Sequence, residues 1–170
     1  MANCLGWALI QARKQTLSLA AEIPQSAAYS QSFPGEHHPS WILGHLLLAD
    51  TYLMHLIGIE ELGVDFSSLL SCYGPGADPA PGPGPYESLD VLITRLRESG
   101  EERIAAVSRM SPADLSRPLA DALLSQVQPT IGHHLNTMIY HEGYHGGQLA
   151  AWRRNHQLPP VSWTFAPTSA

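Results

Sequence analysis

A run of prolines and glycines divides this chain near its middle: Gly74-Pro75-Gly76, then Pro79-Ala80-Pro81-Gly82-Pro83-Gly84-Pro85. Proline removes a backbone donor and fixes φ, so neither a helix nor a central strand can pass through such a run. The whole stretch from residue 60 to residue 86 lacks periodicity and reads as a loop without a helix. It is long enough to cross the molecule, so the segments it joins need not be antiparallel neighbours. It serves either as a lid over a site or as a passive crossover.

Both sides of the loop carry helical patterns. From residue 2 to about residue 22, Leu5, Leu9, Ala12, Thr16 and Leu19 recur at helical spacing, with Gln11, Lys14 and Gln15 opposite. Pro39 suits the first position of a second helix, which runs through Trp41, Gly44, His45, Leu48, Tyr52 and Leu56 to about residue 58. That helix is apolar nearly all the way round and should be well buried.

A third helix spans residues 87 to 110 and buries Leu89, Leu92, Ile93, Leu96, Ile104 and Val107. Arg95, Arg97, Glu98, Glu101, Glu102 and Arg103 read as its solvated face. Ser111-Pro112-Ala113-Asp114 suits a short extra turn, and a little helix fits around residues 120–124. Thr130 can cap a last helix reaching about residue 154, with His134, Met138, His141, His145 and Gln148 along one seam. Residues 155–170, with Pro159-Pro160, Trp163 and Phe165, read as a strap lying on the bundle. No strand pattern or internal repeat stands out. The expectation is an all-α four-helix bundle in one domain, residues 1–170.

The formal net charge of -6 argues against nucleic-acid binding, which normally needs a basic face. Cys4 and Cys72 are far apart and form no CxxC pair, which fits a reducing compartment without a thiolate zinc site. No stretch approaches the roughly eighteen apolar residues of a membrane span. A cytoplasmic protein without membrane partners is the expectation.

Chemistry concentrates in the histidines, of which there are nine. In His141-Glu142-Gly143-Tyr144-His145-Gly146-Gly147-Gln148-Leu149, two imidazoles four apart stack on one helix face and can reach one metal ion. The glycines beside them cost a helix roughly 1 kcal/mol each against alanine, which suggests that something approaches the backbone there. His141-Glu142-x-x-His145 also matches the zinc-protease pattern in which glutamate is the general base. That reading lacks its third ligand: position 151 is Ala, no Asp or Glu follows Glu142, and no strands accompany the helix.

A third ligand therefore has to come from upstream, and His45, mid-helix and beside Gly44, is the best placed. His37, His38, His133 and His134 lie near helix starts and read as surface residues or N-terminal contacts. His55 is off the His45 stripe. Glu142 and Asp50 are candidates for acceptors that orient a ligand imidazole, against the commoner role of a solvated carboxylate. Trp41, Tyr140 and Tyr144 either line the site or pack as ordinary core aromatics.

Trp41-x-x-Gly44-His45-Leu46 followed by His141-x-x-Tyr144-His145-x-Gly147-Gln148-Leu149 resembles the DinB/YfiT-like family of four-helix proteins. The resemblance runs from the second helix to the end of the fourth. It implies an up-down-down-up bundle in which His45, His141 and His145 bind one divalent metal, and a homodimer. It further implies an enzyme of the kind that transfers or isomerises small molecules with low-molecular-weight thiols.

Nitrogen-only ligation suits zinc or nickel, with iron and copper as alternatives. Three imidazoles leave an open position where a thiol or water can be activated, as in a thiol S-transferase or hydrolase acting on a small molecule. Two other classes stand beside the enzyme. One is a non-catalytic metal-binding or stress-related bundle, and the other a metal-free bundle that binds a partner.

Overall fold

The computed structural model describes residues 2–59 and 65–161. Each α-helix after the first begins where a polar side chain takes up a free backbone donor. α1 spans Ala2–Ala20, and α2 spans Pro39–Leu56, with Pro39 in its first turn and the His38 ring accepting from Trp41 N. α3 (Phe66–Tyr73) is capped by Asp65, and α4 (Leu89–Ser108) by Ser88. α5 (Pro112–Ser116) starts in a capping box between Ser111 and Asp114. α6 (Ile131–Asn155) starts at Thr130, whose hydroxyl accepts from His133 N. Among the described residues there is no strand, only an isolated bridge between Pro118 and Thr130. The small helix expected around 120–124 is a 3-10 turn, Leu124–Gln126.

α3 corrects the expectation of a helix-free loop between residues 60 and 86. The proline run begins only at Pro75, and ahead of it Phe66, Leu69, Leu70 and Tyr73 already follow helical spacing behind an Asp cap. The run itself is held by Gly82 N donating to the Tyr29 carbonyl and by the Gln31 amide on the Pro79 carbonyl. Residue 82 has φ +97°, which favours glycine. Of the expected C-terminal strap, Leu158 and Val161 pack on the core, while Trp163 and Phe165 lie outside the described residues.

The four long helices meet around a buried ring of charge, to which each contributes one residue. Arg13 of α1 binds Glu142 of α6 through Nε, at 2.5 Å, and Asp50 of α2 through Nη2, at 2.9 Å. Arg103 of α4 binds the same two carboxylates, reaching Glu142 Oε2 at 3.0 Å. Ser99 Oγ donates to Asp50 Oδ2 at 2.8 Å, and the Leu96 carbonyl accepts from Arg13 Nη1. All four charged residues are at most 4% exposed.

The ring divides the core. One apolar cluster, with Trp41, Leu43, Leu92, Leu96, Leu149 and Trp152, fills one half of the bundle. The other, with Leu9, Leu53, Val107, Leu135 and Met138, fills the opposite half. Along the helices further pairings recur: Gly6 faces Ser108, the Leu19 carbonyl accepts from Arg153, and Ser40 Oγ donates to the Glu87 carbonyl.

Arg103 thus departs from the solvated face assigned to it. It stands on the stripe Leu96-Ser99-Arg103-Val107, where periodicity outweighs the usual exposure of arginine. The cost of desolvating such charges is recovered only while every partner is present. Arg103→Met should therefore lower unfolding stability by about 3–5 kcal/mol. Urea unfolding monitored by circular dichroism reads this directly, and a loss under about 1 kcal/mol would mean that the ring behaves like a surface pair.

Candidate metal centre

His45 owes its setting to the residue before it. A Cβ at Gly44 would lie 2.2 Å from the Tyr73 ring, so only glycine lets α3 press against the backbone of α2. Tyr73, the last residue of α3, then presents its carbonyl 2.7 Å from His45 Nδ1. Helix C-termini leave such carbonyls without intrahelical partners, and the imidazole N–H satisfies this one. The Tyr73 hydroxyl accepts from Glu87 N at 3.0 Å, which ties α3 to the start of α4.

Across the bundle, His141 and His145 rise from one face of α6. His141 Nε2 lies 3.0 Å from His45 Nε2 and 3.1 Å from His145 Nε2. His145 Nδ1 is 2.7 Å from Gln148 Oε1, and the Gln148 amide nitrogen donates to the Tyr144 hydroxyl at 3.3 Å. With Nδ1–H engaged on both His45 and His145, each ring turns a bare Nε2 lone pair toward His141. One proton on His141 Nε2 can make a straight bond to only one of them. Among the described residues the buried His141 Nδ1 has no partner; with the proton there instead, three lone pairs converge on one point.

That donor set fits a divalent cation. The three ligand atoms lie within 4.8 Å of one another, and neutral imidazoles suit zinc, nickel, iron or copper. His45, His141 and His145 would hold it. Among the described residues no fourth His, Cys, Asp or Glu joins the group.

Burial keeps these rings neutral. It lowers His141 to about 4, helped by the neighbouring His45, and His145 to about 3, helped by His141 and His45. His45 is lowered in the same sense, again chiefly by burial. Neutral imidazole is the ligating form, so the site should not have to shed protons near pH 7 to accept a metal. Trp41 stacks on His45 with ring centres 4.8 Å apart, and its other face carries His37 at 3.9 Å. Tyr144 meets His145 edge-on at 5.1 Å, whereas Tyr140 is 72% exposed and is not drawn into the cluster.

Several sequence expectations change here. Glu142 and Asp50 accept from Arg13 and Arg103, not from an imidazole, and neither is solvated. The acceptors that orient the clustered imidazoles are the Tyr73 carbonyl and Gln148, of which only Gln148 carried a signal, its place on the histidine seam. His38 and His134 are buried; the first caps α2 and the second pairs with Gln128. His133 and His55 are exposed. Among the described residues nothing lies within 4 Å of a Cβ placed on Gly143 or Gly147, and one on Gly146 would meet Thr16 and Leu19 of α1 only at ordinary contact distance; the tight approach is at Gly44.

The order and spacing of these elements match a described family: its model, that of the DinB superfamily, aligns with residues 8–149. The chain belongs to the DinB superfamily. The match takes in α1 as well as the two histidine-bearing helices, so it extends beyond the segment that carries the motifs. No curated protein matches the chain. No helix of the described residues is long and apolar enough to cross a membrane.

The lowered histidines give this DinB-superfamily chain a defined acid response. Below about pH 6.5 the unfolded chain takes up protons that the native rings refuse, so stability present above that pH is lost on the way down to about pH 4. The slope is about 1.4 kcal/mol per pH unit for each such proton. Metal-free protein should show it in unfolding curves between pH 6.5 and pH 4, and His145→Gln should lessen it by one proton's share, since His38 and His134 are lowered by burial as well. An unchanged slope in that variant would mean that the cluster is protonated in the native state.

Proposed function

We propose that this protein is a metal-dependent enzyme in which His45, His141 and His145 ligate one divalent ion, zinc or nickel in first place. A thiol or a water would be activated there against a small electrophile, as in thiol S-transfer or hydrolysis. The observation that carries this reading is the meeting of three Nε2 atoms, two of them on rings whose Nδ1–H is already engaged. The chemistry of such a centre is Lewis-acid activation, which brings a bound thiol or water to its reactive anion near neutral pH. The lack of a fourth protein ligand among the described residues favours an open position, and hence catalysis over a purely structural ion.

The chain's own residues supply the rest. The Tyr73 carbonyl and Gln148 hold two imidazoles in the ligating tautomer and fix their planes. Trp41 covers one face of His45 and keeps water from that side. A low-molecular-weight thiol is the proposed co-substrate, and the protein is proposed to work in the cytoplasm as a homodimer.

The architecture proposed with this function is one domain over residues 1–170, an up-down-down-up four-helix bundle with the proline-rich segment as its crossover. The pairings support it. Arg13 and Leu19 of α1 meet Glu142 and Arg153 of α6 in the same order, while Gly6 and Arg13 meet Ser108 and Leu96 of α4 in reverse.

Elemental mass spectrometry of tag-free protein tests the site. Wild type should carry about one equivalent of metal after reconstitution. His45→Ala and His141→Ala should each lose it, because two donors from different helices feed one ion. A panel of thiols and small electrophiles should then be turned over by the wild type only. Absence of metal in the wild type would remove the metal reading, and a fully metallated but inert protein would remove the enzyme.

A further inference from the structure

The face of α6 turned away from the histidines carries Gly143, Gly147, Ala150 and Arg154, spaced by four, three and four. Nothing in the described chain uses the missing side chains of Gly143 and Gly147. Instead this face floors a groove of about 460 Å³ between α1 and the chain that follows α6. Its wall after α6 is apolar, with Leu158 and Val161, while the α1 wall sets Ala12 and Leu19 among Gln11, Gln15 and Thr16. That volume is in the range of small-molecule pockets, about 300–1,000 Å³.

The free charge around the groove is basic. Lys14, Arg153 and Arg154 line it, three of the nine Lys and Arg in a chain of net charge -6. Arg153 is engaged by the Leu19 and Pro159 carbonyls and by Glu22, which leaves Lys14 and Arg154 exposed at the rim. Glu142 is the one acidic residue in the lining, and Arg13 and Arg103 neutralise it.

We propose that this groove binds a small amphipathic carboxylate, with its apolar body on the bare backbone of Gly143 and Gly147 and its anion at the basic rim that Lys14 and Arg154 supply. The glycines widen the floor that a Cβ would narrow. No triad histidine lines the groove, so the proposal stands apart from the metal centre.

Isothermal titration of the full-length protein with decanoate below its micelle concentration tests this. Saturable binding is expected, about tenfold weaker for decanol and for the double variant Lys14→Glu/Arg154→Glu. Gly147→Leu fills the groove and should abolish binding without lowering the melting temperature, since no neighbour stands in its way. Chelation of metal should leave decanoate affinity unchanged, so failure here is distinguishable from failure of the metal reading. No saturable binding, or equal affinity for decanol and decanoate, would overturn the proposal. So would binding that appears only after deletion of residues 162–170, which would assign the groove to the chain's own C-terminal residues.

Discussion

Four charges in the middle of the bundle set the terms for everything around them. Arg13, Asp50, Arg103 and Glu142 come one from each long helix and sum to zero, so none can be shifted along its helix without leaving an opposite charge uncompensated in low dielectric. An apolar core tolerates sliding of helices far better than such a ring does. The apolar clusters on either side contribute the bulk of the burial, and the ring sets the heights at which the helices meet.

That registration reaches the histidines through two short links. Glu142 follows His141 directly on α6, and Asp50 stands five residues beyond His45 on α2. Once the carboxylates share the two arginines, the imidazoles of the facing helices are brought level. The remaining freedom, rotation of each ring about its own bonds, is removed locally by the Tyr73 carbonyl and by Gln148. Electrostatic registry thus places the donors, and hydrogen bonds aim them.

The histidine cluster was legible in the sequence because its signal is local and chemical. His141 and His145 are four apart on one helix, and His45 is a polar residue on an otherwise apolar stripe. The ring was legible only in part. Arg13 falls in step with Leu9, Thr16 and Ala20, and Arg103 with Leu96 and Val107, so periodicity pointed inward while composition pointed outward. Deciding between them requires the partner charges, which lie up to 129 residues away in sequence. α3 was missed for a different reason: the prolines after residue 74 coloured the reading of the capped apolar turn before them. The carbonyl on His45 carries no sequence signal, because any residue type offers one.

The contact between Gly44 and Tyr73 also separates two regimes of variation. α3 is tied to α2 by the Tyr73 ring against bare backbone and by its carbonyl on the His45 imidazole, so a shift of α3 would move the acceptor that aims His45. Beyond Gly74 the loop is anchored elsewhere, on Tyr29 and Gln31 and through Tyr86, whose hydroxyl accepts from Ala80 N. At its far end the proline-rich segment still reaches that contact, because the Tyr86 ring lies 5.8 Å from the Tyr73 ring. Between those two ends, over residues 75–81, the loop can change its length or surface at the least cost to the imidazoles, since the Tyr73 carbonyl that holds His45 lies before it.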